Sequence, residues 1–298
     1  MTHLNPAPRT IERDLPAVAP TKRRRPRGQS TRVWTYIVLV IAAVLTLLPF
    51  AWMLLGSFKT QGELLRRPVT WWPEEPTLAN YTAWFSDLGI GQFFTNSLVV
   101  ALFTVLGNLL FCSMVGYALA KMTFPGKRLL FTLVMVTLMV PGVVTFVPLF
   151  VMVSQLGLVN TYPGLILPFL VSPLGVFLMR QFMLGIPDSL IEAARIDGAG
   201  ELRTFARIVM PLCGPPLATL GILTFLGSWN NFLWPLVAAQ SEEKYTLPVA
   251  LALFSTGQNA TDYGLLLAGA VLVIAPIVVL FVALQRFFVQ GVAGTGIK

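Results

Sequence analysis

Few residues in this 298-residue sequence have the types and spacing that catalysis needs. Its single histidine, His3, lies in a polar terminus, which leaves no basis for a histidine-centred metal or catalytic site. "PGKR" at Pro125–Arg128 lacks the upstream glycine and the following Ser/Thr of a phosphate-cradling G-x-x-x-x-G-K-[ST] loop. "GVAGTG" has the wrong spacing for G-x-G-x-x-G and follows no strand signal, and neither G-x-S-x-G nor H-E-x-x-H occurs. Cys112 and Cys213 both fall in apolar runs, where small buried core residues are expected rather than a disulfide or a metal pair. The expectation is a chain that is not an enzyme, binds no metal or cofactor of its own and cannot hydrolyse ATP alone.

One stretch does concentrate ionisable groups. "IPDSLIEAARIDGAG", Ile186 to Gly200, holds Asp188, Glu192, Arg195 and Asp197, with Glu201 just beyond. Ser189 and Glu192 have the spacing of a capping box, in which each side chain satisfies an orphan backbone N–H at a helix start. Gly198 suits the left-handed residue just past a helix end. Together they predict a helix over Ser189–Asp197, about nine residues long and marginal alone in water. Leu190, Ile191, Ala194 and Ile196 are too apolar for a solvated loop, and Ala193 and Ala194 add no bulk that would hold another surface away. Such a helix is stable only when docked. A separate partner and the protein's own membrane-surface end both fit, and the residues alone leave the two open.

The elements that must position this stretch are set by composition. Only 11% of the residues are charged and 55% are hydrophobic, against roughly 25% charged in a soluble domain. No charged residue occurs between Arg128 and Arg180. Runs long enough for a bilayer, about 20 residues each, mark six predicted helices: Val33–Phe58, Phe94–Ala120, Leu129–Val153, Gly164–Met183, Ile208–Phe232 and Leu265–Leu284. Continuous rather than alternating apolarity disfavours a membrane β-barrel. The fold class is therefore an all-α polytopic membrane protein with six transmembrane helices. Pro141, Pro148, Pro168, Pro173, Pro215, Pro216 and Pro276 fall within these spans and predict kinks.

Orientation follows from the cations. With the N-terminus inside, seventeen of the 21 Lys and Arg residues lie in cytoplasmic segments and four in external loops. This places both termini and the Ile186–Gly200 stretch in the cytoplasm, in a multi-pass protein of a cytoplasmic membrane. The net charge of +8 is then topology plus attraction to anionic lipid, with no nucleic acid implied. Residues 1–32, basic and polar ("TKRRRPRGQ"), are expected to be a disordered cytoplasmic tail rather than a signal peptide, and residues 286–298 a cytoplasmic C-terminal tail. Two longer external loops remain, about Lys59–Phe93 and Leu233–Gly264. In the second, Phe254 offers an apolar face and Ser255, Thr256, Gln258 and Asn259 uncharged donors and acceptors, while Gly257 permits a tight turn.

Within the spans, Asn108, Ser113, Tyr117, Gln155, Ser172, Asn230 and Asn231 are the polar residues available to a solute path. Interhelical hydrogen bonding is the expected use of most of them. Trp229, Asn230 and Asn231 stand apart, because an external-end position with aromatic neighbours suits a sugar face. No ionisable side chain lies well inside the runs, which argues against a proton relay or a charged-substrate counter-ion.

"EAARIDGAGELRTFARIVMP" resembles the EAA loop of binding-protein-dependent ABC import permeases, here residues 186–211. Glu192-Ala193-Ala194, Gly198, Ile208 and Pro211 match at the family's intervals, with Met210 where the family has Leu. "NY" at Asn80-Tyr81, "NSLVVA" from Asn96, "SWNNFLWPL" from Ser228 and the ending "QRFFVQGVAGTGIK" are similar to the maltose-type carbohydrate permeases. The resemblance covers residues 33–298. It implies the type I ABC importer permease fold, with the EAA loop forming a cytoplasmic coupling helix that docks on a separate ATPase subunit. Ser189, Glu192, Ala193, Ala194, Arg195, Asp197 and Gly198 would carry that coupling. The external loop at Phe254–Gln258 would reach into an extracytoplasmic solute-binding protein, and Trp229, Asn230 and Asn231 would face the path. The implied partners are a homologous permease subunit in a heterodimeric core, two ATPase subunits that hold ATP and Mg, the binding protein, and lipid. The implied cargo is a sugar or oligosaccharide, with glycerol 3-phosphate or another polyol derivative as the alternative. An ion-coupled secondary transporter would instead call for intramembrane ionisable groups and inverted repeats, neither of which is evident.

Overall fold

The structure, a computed structural model, describes residues 29–256 and 261–293, with side chains described from 33 to 283. The basic tail up to residue 28, residues 257–260 and residues 294–298 lie outside the described residues. The chain divides into two units, Met1–Pro49 and Phe50–Lys298. Helix α1, Gln29–Gly56, starts four residues earlier than the hydropathy predicts and runs from the first unit into the second. In the first unit it is a lipid-suited helix, with Val38, Leu39, Val40 and Leu45 all exposed.

Among the described residues of the second unit, every regular element is a helix, apart from one bridge between Thr256 and Thr261. Its long elements are α2 (Ile90–Lys121), α3 (Lys127–Met139), α4 (Gly142–Gln155), α5 (Tyr162–Phe169) and α6 (Pro173–Leu184). They continue as α7 (Asp188–Ile196), α8 (Glu201–Leu212), α9 (Gly214–Trp229), α10 (Leu233–Ala238), α11 (Leu247–Ser255) and α12 (Tyr263–Ala293).

Among the described residues, three helices are long and apolar enough to cross a membrane unbroken: Val33–Gly56 of α1, α2, and Tyr263–Ala283 of α12. The other three predicted spans are bent pairs rather than continuous helices, a larger departure from straightness than the kinks expected at their prolines. The angle is 105° between α3 and α4, 43° between α5 and α6, and 83° between α8 and α9.

Proline explains where the breaks fall. Val140 before Pro141 and Ser172 before Pro173 are both extended, at ψ 119 and 136, because a following proline ring disfavours the helical conformation. Pro215 and Pro216 open α9 in its first turn, where a missing N–H costs nothing. By contrast, Pro148 and Pro276 sit inside α4 and α12 without ending them. The side chains of Ser172 and Thr161 accept from Gly175 N and Gly164 N at the starts of α6 and α5, meeting donors that hydrocarbon cannot.

At the Ile90 end of α2, polar motif residues staple the connecting segments together. Asn96 is buried and donates to the carbonyls of Glu243 and Tyr245, while its Oδ1 accepts from the Tyr162 hydroxyl at 2.6 Å. Ser97 Oγ accepts from Leu247 N. In the first long loop Asn80 donates to the carbonyls of Ser57 and Lys59, and the buried Trp84 indole donates to Leu265 O. Lys59, also buried, pairs with Glu63 at 3.1 Å. This loop is folded, in keeping with its aromatic and proline content.

Candidate functional site

The coupling stretch forms α7, a nine-residue helix as the sequence predicts, but one residue out of register at its start. Pro187, with φ −59 and ψ 131, occupies the N-cap position and no side chain caps the helix. Ser189 therefore falls inside the first turn, where its hydroxyl cannot serve as an N-cap, and the expected Ser189–Glu192 capping box is not formed. Asp188 takes the first helical position instead, where a carboxylate is favoured by the helix dipole. A hydrogen bond from the Lys121 ammonium, together with its charge, holds the Asp188 carboxyl below the usual range.

The far end of α7 is as expected. Gly198 has φ +79. Ala199 N donates to Ala194 O and Gly198 N to Arg195 O, the paired bonds of a Schellman ending. The Arg195 side chain folds onto Glu201 at 2.7 Å.

Helix α7 has two distinct faces. Ile191 is buried among Tyr117, Leu119, Met183, Ile186 and Phe205, and Ala194 is buried beside it. Ser189, Glu192, Ala193, Arg195, Ile196, Asp197 and Gly198 are all exposed. Ile196 is 87% exposed and Leu202, at the start of α8, is 71% exposed. Apart from Ala194, the coupling residues named from the sequence thus share one accessible surface.

A second feature is a cavity of about 460 Å³ among α2, α5, α6, α9 and the start of α10, within the size range of small-molecule sites. Its polar lining comes from Thr104, Asn108, Ser172, Thr224, Ser228 and Asn231, with Phe169 and Trp234 as aromatic walls, and no ionisable residue contributes. Asn108 opens a π-bulge, Asn108–Cys112, within α2. Its Nδ2 donates to Thr104 O at 3.1 Å and to Phe169 O at 2.7 Å, tying α2 to the α5–α6 break. Thr104 Oγ1 is buried and makes no hydrogen bond to any described residue, an arrangement uncommon enough to call for a reason.

Of the residues assigned to the path, Asn231 reaches this cavity, but Trp229 and Asn230 do not. Trp229 is 1% exposed, stacks on Phe225 at 5.5 Å and donates its indole N–H to Val273 O. It is an internal strut rather than a sugar platform. Asn230 is exposed and donates back to Leu226 O. The tryptophan that does line the cavity, beside Phe169, is Trp234, whose Nε1 donates to Gly164 O. Thr104, Thr224 and Ser228 carried no signal, since a lone hydroxyl in an apolar run reads as packing.

The second long loop is also more structured than expected. It contains a turn at Glu242–Lys244 and then α11. Phe254 and Ser255 end α11 as packed residues, with Phe254 at 5.6 Å from Phe93 and Ser255 fully buried. Their assignment to a free loop tip is therefore corrected. Thr256 is exposed. Gly257, Gln258 and Asn259 lie outside the described residues. Among the described residues, no group of three or more His, Cys, Asp or Glu side chains could hold a metal.

Residues 112–294 match the family described as "Binding-protein-dependent transport system inner membrane component". The chain is 44% identical, over 86% of its length and 92% of the relative's, to the arabinooligosaccharides transport system permease protein AraQ of Halalkalibacterium halodurans. It is 40% identical to the protein of the same name from Bacillus subtilis, over 93% of this chain and 99% of that one. A subunit in the crystal structure of a bacterial ABC transporter involved in the import of the acidic polysaccharide alginate superposes with a TM-score of 0.79. It is 24% identical, over 88% of this chain and 99% of that one, and so shares the fold.

Proposed function

The chain belongs to the family of binding-protein-dependent transport system inner membrane components, and from that premise we propose that it lines one half of the path of an ATP-driven importer for a neutral sugar or oligosaccharide. In this reading it pairs with a homologous permease, an extracytoplasmic binding protein delivers the solute, and two ATPase subunits carry the ATP and Mg. The chain itself holds no cofactor, both its termini are cytoplasmic, and it resides in the cytoplasmic membrane of a prokaryote.

The observation that carries the reading is the exposed face of α7. A helix of nine residues that presents an 87% exposed isoleucine between Glu192 and Arg195 on one side and Asp197 on the other suits a partner with an apolar groove and a polar rim. The test is uptake into proteoliposomes containing the full complex. Uptake should follow internal or external ATP, according to the side on which the ATPase subunits sit, and ignore ionophores. Uptake that collapses with an ion gradient and persists without ATP defeats the proposal.

The uncharged cavity favours a neutral saccharide over a phosphorylated polyol, whose dianion would enter a site without a cation or a compensating charge. Thr104→Val keeps the shape of the side chain and removes a hydroxyl that bonds to no described residue. It should leave thermal stability unchanged or slightly raised, while uptake weakens by about threefold to tenfold, the scale of one hydrogen bond. Unchanged uptake removes Thr104 from the path. Mass spectrometry of the solute that co-purifies with the complex decides between saccharide and phosphate ester.

Topology is tested separately, in a background lacking Cys112 and Cys213. Cysteines at Glu75 and Glu243, both exposed, should react with an impermeant maleimide added to intact cells, and one at Gly200 should not. The reverse pattern overturns the orientation and with it the docking side.

A further inference from the structure

We infer that α7 is latched at both ends to a single face of α2, by Lys121 at its start and by Tyr117 through Glu201 at its end, so that α2 is the lever carrying movement of the docking helix to the cavity. The inference rests on the reading that α7 docks on an ATPase subunit, and it adds which of the chain's own helices receives the motion.

The first latch is Lys121. Its Nζ donates to Asp188 Oδ1 at 2.6 Å and to the Ile186 carbonyl. The lysine side chain is only 5% exposed, although the carboxylate it meets is 76% exposed. The second latch has two steps. The Tyr117 hydroxyl donates to Glu201 Oε2 at 2.8 Å, and Glu201 Oε1 accepts from Arg195 Nε and Nη2 at 3.1 and 2.7 Å. Glu201 thus holds the last turn of α7 with one oxygen and α2 with the other. Tyr117 and Lys121 are four residues apart, so they stand one above the other on the same face of α2. Ile191 is buried in the same core cluster as Tyr117 and Leu119.

What lies further along α2 makes this arrangement consequential. Thr104 and Asn108 line the cavity, and Thr104 is about 25 Å along the helix from Lys121 at 1.5 Å per residue. Between them Gly116 lies so close to Met179 and Arg180 of α6 that a Cβ would stand 2.9 Å from Met179 Cβ. Arg180 also donates to Leu119 O. A push on α7 therefore reaches α2 through three polar bonds and one buried isoleucine, and reaches α6 through the short Gly185–Pro187 connection. Tyr117, Lys121 and Glu201 are positioning residues; none of them lines the cavity.

The test uses the reconstituted complex of permeases, ATPases and binding protein. Tyr117→Phe combined with Lys121→Met should still bind the ATPase and hydrolyse ATP at the basal rate, while solute imported per ATP hydrolysed falls at least tenfold. Import per ATP at the wild-type value, with the ATPase bound, overturns the latch. A charge exchange guards against misfolding. Lys121→Asp alone should uncouple, and adding Asp188→Lys should recover most of the loss; no recovery overturns the pairing. The underlying docking reading fails in a distinguishable way, with Ile196→Asp leaving ATPase co-purification intact, and that outcome also ends the inference.

Discussion

Ile196→Asp is expected to abolish stable association with the ATPase subunit while leaving the permease itself folded. At 87% exposure the side chain contributes little to its own chain, and surface changes of this kind cost within about 0.5 kcal/mol. At a docked interface the same aspartate would be desolvated without a partner, beside Asp197 in sequence and near the carboxylate of Glu192. Breaking complementarity in this way costs about 3 kcal/mol or more, roughly a hundredfold in affinity. Co-purification of the ATPase at limiting concentration, alongside the melting temperature of the isolated permease, provides the readout. An ATPase that binds the variant as tightly as the wild type would show that α7 faces something else.

The second large effect concerns Gly116. An added Cβ would lie 2.9 Å from Met179 Cβ and 3.1 Å from the backbone nitrogen of Arg180. Neither atom is the end of a flexible side chain, so α2 and α6 must move apart as whole helices. Gly116→Val should therefore cost about 3 kcal/mol, at the upper end of overpacking, and lower the melting temperature by several degrees. Gly91, also on α2, has nothing within 4 Å of its would-be Cβ, and Gly91→Val serves as the control. Two variants that melt together would mean that the α2–α6 contact is looser than described.

What the sequence encodes and what it leaves to the fold divide by physical range. The spans, the position of α7 and the left-handed Gly198 were legible because hydropathy and helix endings are local signals spanning a few residues. The start of α7 was misread because two helix-start signals overlapped, and Pro187, with its fixed φ, prevailed over the Ser189–Glu192 spacing. The prolines predict kinks, but neither full breaks nor their angles, since a bend of 105° depends on what each arm packs against. An aromatic beside two asparagines suits a sugar, but the Trp229 indole instead answers a carbonyl 44 residues away. The latches were invisible for the same reason. Lys121 and Asp188 are 67 residues apart and Tyr117 and Glu201 are 84 apart, and no local pattern encodes such pairs.

The π-bulge at Asn108–Cys112 has a bearing on which length changes the gene can tolerate. A bulge of this kind holds one residue more than a regular helix would, and one residue turns an α-helix by about 100°. It therefore sets the angular phase between Thr104, on the cavity side, and Tyr117 and Lys121, on the side that meets α7. Deleting one residue between 108 and 112 would remove the extra residue and let the helix regularise with its two ends still in phase. Losing one from a regular turn between 104 and 117 would instead swing everything beyond by more than a quarter turn. Tyr117 and Lys121 would then point away from Glu201 and Asp188, although the helix would be no less apolar and no less helical. A codon lost from such a regular turn acts like a cross-threaded screw: the parts remain intact and the two ends no longer engage.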